Sequence, residues 1–150
     1  MLVTFFNVVG CKDQSVIIYT VAFNPNGGEL TSNNSQKILS GDNVIVPSDP
    51  KREEYIFTGW YTEPECINLY DFNNQVSGSF TLYAGWSLIE YTIIFDANGG
   101  VFSGNTSEKI LSGEKVIEPA LEPYNTYCSF TGWYTEPEYI NLYDFNSPVT

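Results

Sequence analysis

The sequence of 150 residues contains no histidine and only six lysine and arginine residues. Without histidine, the chain lacks the commonest general base, the commonest metal ligand and every Ser-His or Cys-His nucleophile pair. It also contains no glycine-rich phosphate loop and no nucleophile-elbow pattern. These absences argue against hydrolase chemistry, and we predict a protein with no catalytic residues, no cofactor and no bound metal.

Positive charge is scarce, because 18 acidic residues bring the formal net charge to −12 at pH 7. The acidic residues are spread along the chain without a block of like charge, which is typical of a solvated surface. A field of this sign repels phosphate backbones and anionic lipid. The composition therefore argues against nucleic acid and membrane-surface partners, and no segment is long enough to cross a bilayer.

An internal duplication is the main feature of the chain. Residues 19–41 align with residues 91–113 at an offset of 72, and after one inserted residue the offset becomes 73. KILSG recurs intact in the first stretch, and FTGWYTEPE and INLYDFN recur in the second. A period this long exceeds the roughly 20–50 residues of solenoid repeats, so each copy is expected to form a small domain of its own.

The duplication predicts two tandem modules after an N-terminal segment at residues 1–18. Copy one spans residues 19–86 and copy two spans residues 91–150. The linker at 87–90 contains no Gly or Pro and is short, which favours a semi-rigid rod. Copy two lacks a counterpart of the last strand of copy one. Because a lost strand would expose a sheet edge, we expect a fragment of a longer array.

Alternating apolar residues predict strands at residues 19–23 and 91–95. The Asn-Gly-Gly turn after each favours a hairpin with an extended segment near residues 37–39. A strand at 55–61 carries bulky side chains on both faces, which predicts a central position in the sheet. The last strand is expected at 80–86.

Thr62 and Pro64 favour a short helical turn in the segment that follows the third strand. Each copy is then expected to contain about four strands and at most one short helix, with aromatic side chains filling a small core. The predicted fold class is mainly β with a minor α component, as tandem small modules of which the second lacks its last strand.

Motifs in a fixed order mark both copies. Copy one contains FNPNGG, YIFTGWYTEPE, YDF and TLYAGW, and copy two contains FDANGG, SFTGWYTEPE and YDF. In order and spacing they resemble the Listeria–Bacteroides repeat family, to which the B-repeat of internalin-type surface proteins belongs. The resemblance implies a β-grasp-like, ubiquitin-related fold, bacterial surface exposure, and a stalk or interaction role in adhesins without catalytic residues. Copy two departs from the pattern at Cys128, which replaces the aromatic Tyr55 of copy one.

Two aromatic pairs are candidates for a ligand platform, Trp60 with Tyr61 and Trp133 with Tyr134. Aromatic faces near carboxylates stack against sugar rings in many carbohydrate sites. However, small β domains need large aromatic anchors, and Gly59 before Trp60 suggests crowding around a buried ring. The sequence favours core packing and leaves the platform as the alternative.

Acidic and sulfur-containing side chains offer two further candidate sites. Asp96, Asp71 and Asp144 invite a calcium interpretation, but the EF-hand spacing is absent and turn chemistry explains these positions. Cys66 and Cys128 align with tyrosines in the other copy, so no repeated disulfide framework exists. We interpret each of these cysteines as a small buried apolar residue rather than half of a bridge.

Cys11 follows Val8-Val9-Gly10, which resembles a bacterial lipobox, the motif in which cysteine becomes the lipidated first residue of the mature protein. The preceding apolar run is short, interrupted by Asn7, and lacks a basic region. Residues 1–11 therefore fit either the end of a lipoprotein signal or an ordinary N-terminus. A lipid on Cys11 would be the only membrane attachment.

Together these features predict a non-catalytic extracellular repeat module on a bacterial cell surface. Its expected role is that of a stalk or spacer and a protein-interaction unit, with a protein or glycan on a host or neighbouring cell as its partner. The alternative from another class is a carbohydrate-binding module that uses the two aromatic pairs.

Overall fold

The computed structural model describes residues 15–150, which form two compact units. The first unit comprises the described residues up to Pro50 together with Gly59–Gly85. The second comprises Lys51–Thr58 and Trp86–Thr150. Cys11 and most of the predicted N-terminal segment lie outside the described residues. The predicted limits of the two copies and of the linker stay predictions.

Residues 15–150 contain strands, turns and irregular segments but no helix. The mainly β prediction is confirmed, and each predicted strand of copy one is present within one or two residues of its expected ends. The strands are β1 (Ile18–Asn24), β2 (Ser35–Leu39), β3 (Tyr55–Tyr61), β4 (Phe80–Leu88), β5 (Glu90–Ile94) and β6 (Ser107–Leu111).

The first sheet has the strand order β2-β1-β4-β3. β1 pairs with β2 in antiparallel orientation and with β4 in parallel orientation, and Phe23 lies opposite Leu82. Alternate residues of the two central strands face the core, so Val21 and Leu82 are fully buried. The β-grasp-like assignment stays a prediction, because the described residues contain no helix packed on this sheet.

β3 lies at the edge of the sheet, so the predicted central position is wrong. Its bulky residues are covered by the core and by the segment after β3, and not by a second neighbouring strand. Trp60 points into the core, while the segment after β3 folds back so that Leu69 forms an antiparallel bridge with Tyr61. Bulk on both faces therefore reflects a covering loop rather than a central strand.

The predicted helical turn after β3 is also wrong. The segment contains bends and turns only, and Cys66 adopts a left-handed φ of 55° that an α-helix does not allow. The carboxylate of Glu63 accepts hydrogen bonds from the backbone N–H groups of Ile67 and Asn68. In a helix these N–H groups would donate to backbone carbonyls, so the side chain of Glu63 replaces those acceptors.

The turn after β1 forms as predicted, with Asn26 and Gly27 at φ values of 48° and 91° and Gly28 N donating to Pro25 O at 2.9 Å. These are the positive φ values that an Asn-Gly pair tolerates. The strands do not continue directly from this turn, because the pairing resumes only at Ala22 and Ser35. β1 and β2 therefore form a hairpin with a long loop.

The sheet of copy two contains β5 and β6 only. Its residues 128–133, which align with most of β3, carry no strand assignment although FTGWY is identical in the two copies. In copy one β3 has a single neighbour in the sheet, β4. Residues 91–150 contain no strand in the position of β4, so residues 128–133 have no such strand to pair with here.

Candidate functional site

Trp60 lies inside the first unit and is 2% exposed. Its ring meets the ring of Phe23 edge to face, with centroids 5.1 Å apart. An aromatic ring stacks on a sugar only if one face is open to solvent. The structure therefore places Trp60 in the core and leaves no open face for a ligand.

The other three residues of the candidate platform are partly buried. Trp133 meets Phe95, Phe102 and Phe130 at centroid distances of 5.1, 5.3 and 5.5 Å. These are edge-to-face contacts of the kind that fill small cores. Tyr134 contacts the ring of Tyr139 in the same manner, at 5.4 Å. Trp133 and Tyr134 are thus involved in packing within the second unit.

The Asn-Gly-Gly asparagine joins three segments of the first unit. The amide Nδ2 of Asn26 donates to the carbonyl oxygen of Pro64 at 3.3 Å and to that of Ala84 on β4 at 3.1 Å. Its own backbone N–H donates to the side chain of Asn24 at 2.9 Å. One residue therefore fixes the turn and ties it to the Thr-Glu-Pro-Glu loop and to the sheet.

Asn98 makes the corresponding connection in copy two. Its Nδ2 donates to Pro137 O at 3.2 Å and to the hydroxyl of Tyr139 at 2.8 Å. Its backbone N–H donates to Asp96 at 2.8 Å, as Asn26 donates to Asn24. Asp96 and Asn24 thus have the same role in a turn, because either side chain supplies the oxygen that an Asx turn needs.

Glu63 organises the Thr-Glu-Pro-Glu loop. One carboxylate oxygen accepts the Thr62 hydroxyl, and the other accepts backbone N–H groups, including that of Ile67 at 2.8 Å. The hydrogen bond from Thr62, followed by those from the backbone of Asn68 and Ile67, lowers the pKa of the Glu63 carboxyl below its usual value. The loop is thus built on the ionised form of this side chain.

Glu136 repeats this arrangement in the second unit. Its carboxylate accepts the Thr135 hydroxyl and the side-chain amide of Asn141, the latter at 3.0 Å. The hydrogen bond from Thr135 is the main cause of a lowered pKa for Glu136 as well. Two loops with the same sequence therefore use the same carboxylate for the same backbone conformation.

The carboxylates of the calcium interpretation are used in turns. Asp71 Oδ1 accepts the backbone N–H of Asn73 at 2.9 Å, and Asp144 Oδ1 accepts that of Asn146 at 2.9 Å. The hydrogen bond from the backbone of Asn146 is the main cause of a lowered pKa for Asp144. Residues 15–150 contain no group of three or more His, Cys, Asp or Glu residues arranged to hold a metal ion.

Cys66 and Cys128 are free thiols. Cys66 is half-buried, and its Sγ lies 3.6 Å from the carbonyl oxygen of Ala84. Cys128 is exposed, so the interpretation of this residue as a buried apolar side chain is wrong. Without β4 in copy two, residues 128–133 lie outside any sheet that would cover them.

The sequence analysis did not identify two side chains whose hydrogen bonds hold the loops of each copy. They are the asparagine of Asn-Gly-Gly and the first glutamate of Thr-Glu-Pro-Glu. Both were available from the repeat itself, because Asn26 and Glu63 recur as Asn98 and Glu136 inside identical motifs. For the asparagine, the role was hidden because its side-chain partners are distant in sequence, whereas the partners of Glu63 lie within five residues. Asn26, for example, bonds to residues 38 and 58 positions away.

The described residues thus form small β units whose recurrent side chains are used in packing and in turns, which defines a tandem β-repeat protein. The sequence model of the Listeria-Bacteroides repeat domain matches residues 19–85 and 91–150. The chain belongs to this family. The resemblance derived from the motifs is confirmed.

Similar proteins are much longer than this chain. A protein of Evansella cellulosilytica named as a Gly-rich membrane protein is 32% identical over 131 residues, which cover 87% of the chain but 15% of that protein. Internalin H of Listeria monocytogenes is 29% identical over 120 residues, which cover 77% of the chain and 20% of internalin H. Among residues 15–150, no helix meets the length and hydropathy needed to span a membrane.

Proposed function

We propose that the chain is a non-catalytic repeat module of a bacterial cell-surface protein, where it acts as a spacer and as a protein-interaction unit. One observation carries the proposal: the side chains that recur in both copies are used inside each copy. Asn26 with Asn98 and Glu63 with Glu136 hold loops, and Trp60 packs in a core. These recurrent side chains therefore support the structure of each copy.

The relatives support the surface location and the modular role. One relative is named as a membrane protein and another as an internalin, and the matching region is 15–20% of their length. A small region that recurs within long proteins of this kind fits a unit that extends or connects larger parts. The acidic charge of −12 fits a soluble surface that faces solvent.

Cell-surface exposure is tested with an antiserum raised against residues 15–150 and applied to intact cells that produce the protein. We expect labelling by flow cytometry before permeabilisation and loss of the label after protease treatment of intact cells. A cytoplasmic protein serves as the control and should be labelled only after permeabilisation. Labelling that requires permeabilisation would contradict the surface location.

We also propose that a lipid on Cys11 attaches the protein to the membrane. Cys11 lies outside the described part of the chain, and the lipobox-like sequence before it supports this form of attachment. We expect Cys11→Ser to release the protein from the membrane fraction into the medium, whereas Cys66→Ser should not. Retention of the Cys11→Ser variant in the membrane fraction would rule out this form of anchoring.

The glycan-binding alternative gains no support from the described residues. Burial of Trp60 removes the first aromatic of one pair, and Trp133 of the other pair is in contact with three phenylalanine rings. We therefore propose a protein, and not a glycan, as the partner.

A further inference from the structure

The turn after the first strand of each copy contains an Asn-Gly dipeptide, Asn26-Gly27 in copy one and Asn98-Gly99 in copy two. No other asparagine of the sequence is followed by glycine. In this dipeptide the backbone nitrogen of glycine can attack the side-chain amide of asparagine, because glycine has no Cβ that would hinder the approach. The sequence therefore places the same reactive group in the same turn of both copies.

The reaction at Asn26 needs no reagent other than water. The nitrogen of Gly27 forms a bond to Cγ of Asn26 while the bond from Cγ to Nδ2 breaks, so Nδ2 leaves as ammonia with the proton of the Gly27 nitrogen. The product is a succinimide ring. Water then adds to one of the two ring carbonyls and opens the ring, which leaves aspartate or isoaspartate. No atom is oxidised or reduced.

The folded first unit holds the nitrogen that would leave. Nδ2 of Asn26 donates to the carbonyl oxygens of Pro64 at 3.3 Å and of Ala84 at 3.1 Å. Because Nδ2 is the leaving atom, its departure breaks both hydrogen bonds. A hydrogen bond from Gly28 N to Pro25 O at 2.9 Å also holds the backbone of the turn. The reaction is therefore expected only when the turn separates from the loop after β3 and from β4.

The product lacks the donor that ties the turn to the rest of the unit. An aspartate at position 26 would direct a carboxylate without N–H groups at the carbonyl oxygens of Pro64 and Ala84. Isoaspartate would also lengthen the main chain by one carbon within the turn. Either product weakens the first unit, so a chain that has reacted once opens more readily than before.

We propose that Asn26-Gly27 is a site of spontaneous hydrolytic modification, which the fold protects and which reacts with water whenever the first unit opens. Asn98-Gly99 has the corresponding role in the second unit, where Nδ2 of Asn98 donates to Pro137 O at 3.2 Å and to the hydroxyl of Tyr139 at 2.8 Å. Each unit thereby converts time spent unfolded into a permanent loss of stability. This chemistry depends on neither the surface location nor the spacer role.

The rate of modification is measured on the whole chain at neutral pH across the urea unfolding transition, by mass spectrometry of the peptides that contain Asn26 and Asn98. Circular dichroism on the same samples gives the unfolded fraction. We expect the rate to follow that fraction, because the open state is the reactive one, and to be at least about tenfold lower in buffer than in concentrated urea. A rate that stays constant through the transition would overturn the proposal.

An asparagine of the same chain is the control for the mechanism. Asn33 is exposed and is followed by Asn34, whose side chain hinders attack by its backbone nitrogen. In concentrated urea, we expect Asn26 and Asn98 to react at similar rates and Asn33 to react several times more slowly. Equal rates at all three would indicate direct hydrolysis of the amides and would count against a specific Asn-Gly site.

The matched variants are Gly59→Ala and Gly78→Ala, which leave both Asn-Gly dipeptides intact. A Cβ at Gly59 would lie 2.5 Å from Cδ1 of Leu69, whereas no atom lies within 4 Å of a Cβ at Gly78. We expect Gly59→Ala to accelerate modification of Asn26 in buffer by roughly 5–30-fold, in proportion to its loss of stability, and Gly78→Ala to leave the rate unchanged. A Gly59→Ala chain with lower stability but an unchanged rate at Asn26 would show that the folded turn itself reacts, against the proposal.

The permanence of the change is tested on chains that have reacted at Asn26 in urea. Ion exchange separates them from unreacted chains by their added negative charge, and both are refolded and then unfolded again. We expect a lower urea midpoint for the reacted chains. A midpoint equal to that of the unreacted chains would contradict the loss of stability.

Discussion

Asparagine is suited to the Asn-Gly-Gly turn for two independent reasons. It tolerates the left-handed φ that Asn26 and Asn98 adopt, at 48° and 45°. It also carries an amide that donates to carbonyl groups far away in sequence. The backbone requirement explains why asparagine is allowed at this position, and the long-range hydrogen bonds explain why aspartate would not replace it.

Asn26→Asp is expected to destabilise the first unit by about 1–3 kcal/mol, because a carboxylate would face the carbonyl oxygens of Pro64 and Ala84 in place of an amide donor. Both side chains tolerate the turn, so the backbone contribution is nearly constant. Urea unfolding measures the effect. Asn33→Asp adds the same charge at an exposed loop residue and should change stability little; equal losses for the two variants would contradict the assigned role.

The glutamates of the Thr-Glu-Pro-Glu loops make stability dependent on pH. A carboxyl whose pKa is lowered in the folded chain stabilises it above the usual value of 4.5, and the contribution is lost as the pH falls through the lowered value. We expect the variant with Glu63→Gln and Glu136→Gln to be less stable than the parent at pH 7 and to approach it in acid.

The control for this prediction comes from the same loops. Glu65→Gln with Glu138→Gln removes two charges from the repeated motif but leaves the hydrogen bonds of Glu63 and Glu136 intact. Thermal unfolding between pH 3 and pH 7 should show a much smaller pH-dependent difference for the control. Parallel curves for the first variant and the parent at all pH values would refute the role of these carboxylates.

Among the elements, β3 has a close contact with the loop that follows it, at a glycine. Gly59 has a φ of 136°, and a Cβ at this position would lie 2.5 Å from Cδ1 of Leu69. The side chain of Leu69 therefore packs against β3 at a surface that carries no side chain. Gly132 and Leu142 show the same approach in copy two, at the same distance of 2.5 Å.

Gly59→Ala is expected to cost about 1–3 kcal/mol, since alanine would be strained at this φ and would displace Leu69. Gly78→Ala is the matched control, because no atom lies within 4 Å of a Cβ built there. Chemical denaturation of both variants checks the prediction. If Gly78→Ala lowered the free energy of unfolding as much as Gly59→Ala, the effect at Gly59 could not be assigned to its φ and to the contact with Leu69.

The elements also show how far sequence patterns reach. Alternation located the strands of copy one because each of them has one face in the core, as in β1, where Val21 and Phe23 are buried. The same reasoning failed for the position of β3 in the sheet, because a loop covered the face that was assigned to a neighbouring strand. The prediction of a helical turn failed because the carboxylate of Glu63 accepts a backbone N–H group that would donate to a carbonyl in a helix.

At the scale of the whole molecule, copy two shows that identical residues do not guarantee identical structure. FTGWY is a strand in copy one and is not assigned as a strand in copy two. In copy one this motif is part of β3, which pairs with β4, whereas residues 91–150 contain no strand in the position of β4. Strand formation at this motif therefore depends on residues outside the motif. The sequence analysis predicted that copy two lacks the last strand, but it did not predict that residues 128–133 would then form no strand.

In copy one, β4 completes the sheet and contributes Leu82 and Ala84 to the core, and we expect each repeat to need a strand in this position. Residue-resolved hydrogen exchange tests it most directly, with the amides of Phe23 and Phe95 as references because both donate to the neighbouring hairpin strand or its flank. We predict slow exchange at Ala22, which faces β4, and fast exchange at its counterpart Ile94, while Phe95 stays protected. Protection of Ile94 equal to that of Ala22 would contradict the claim.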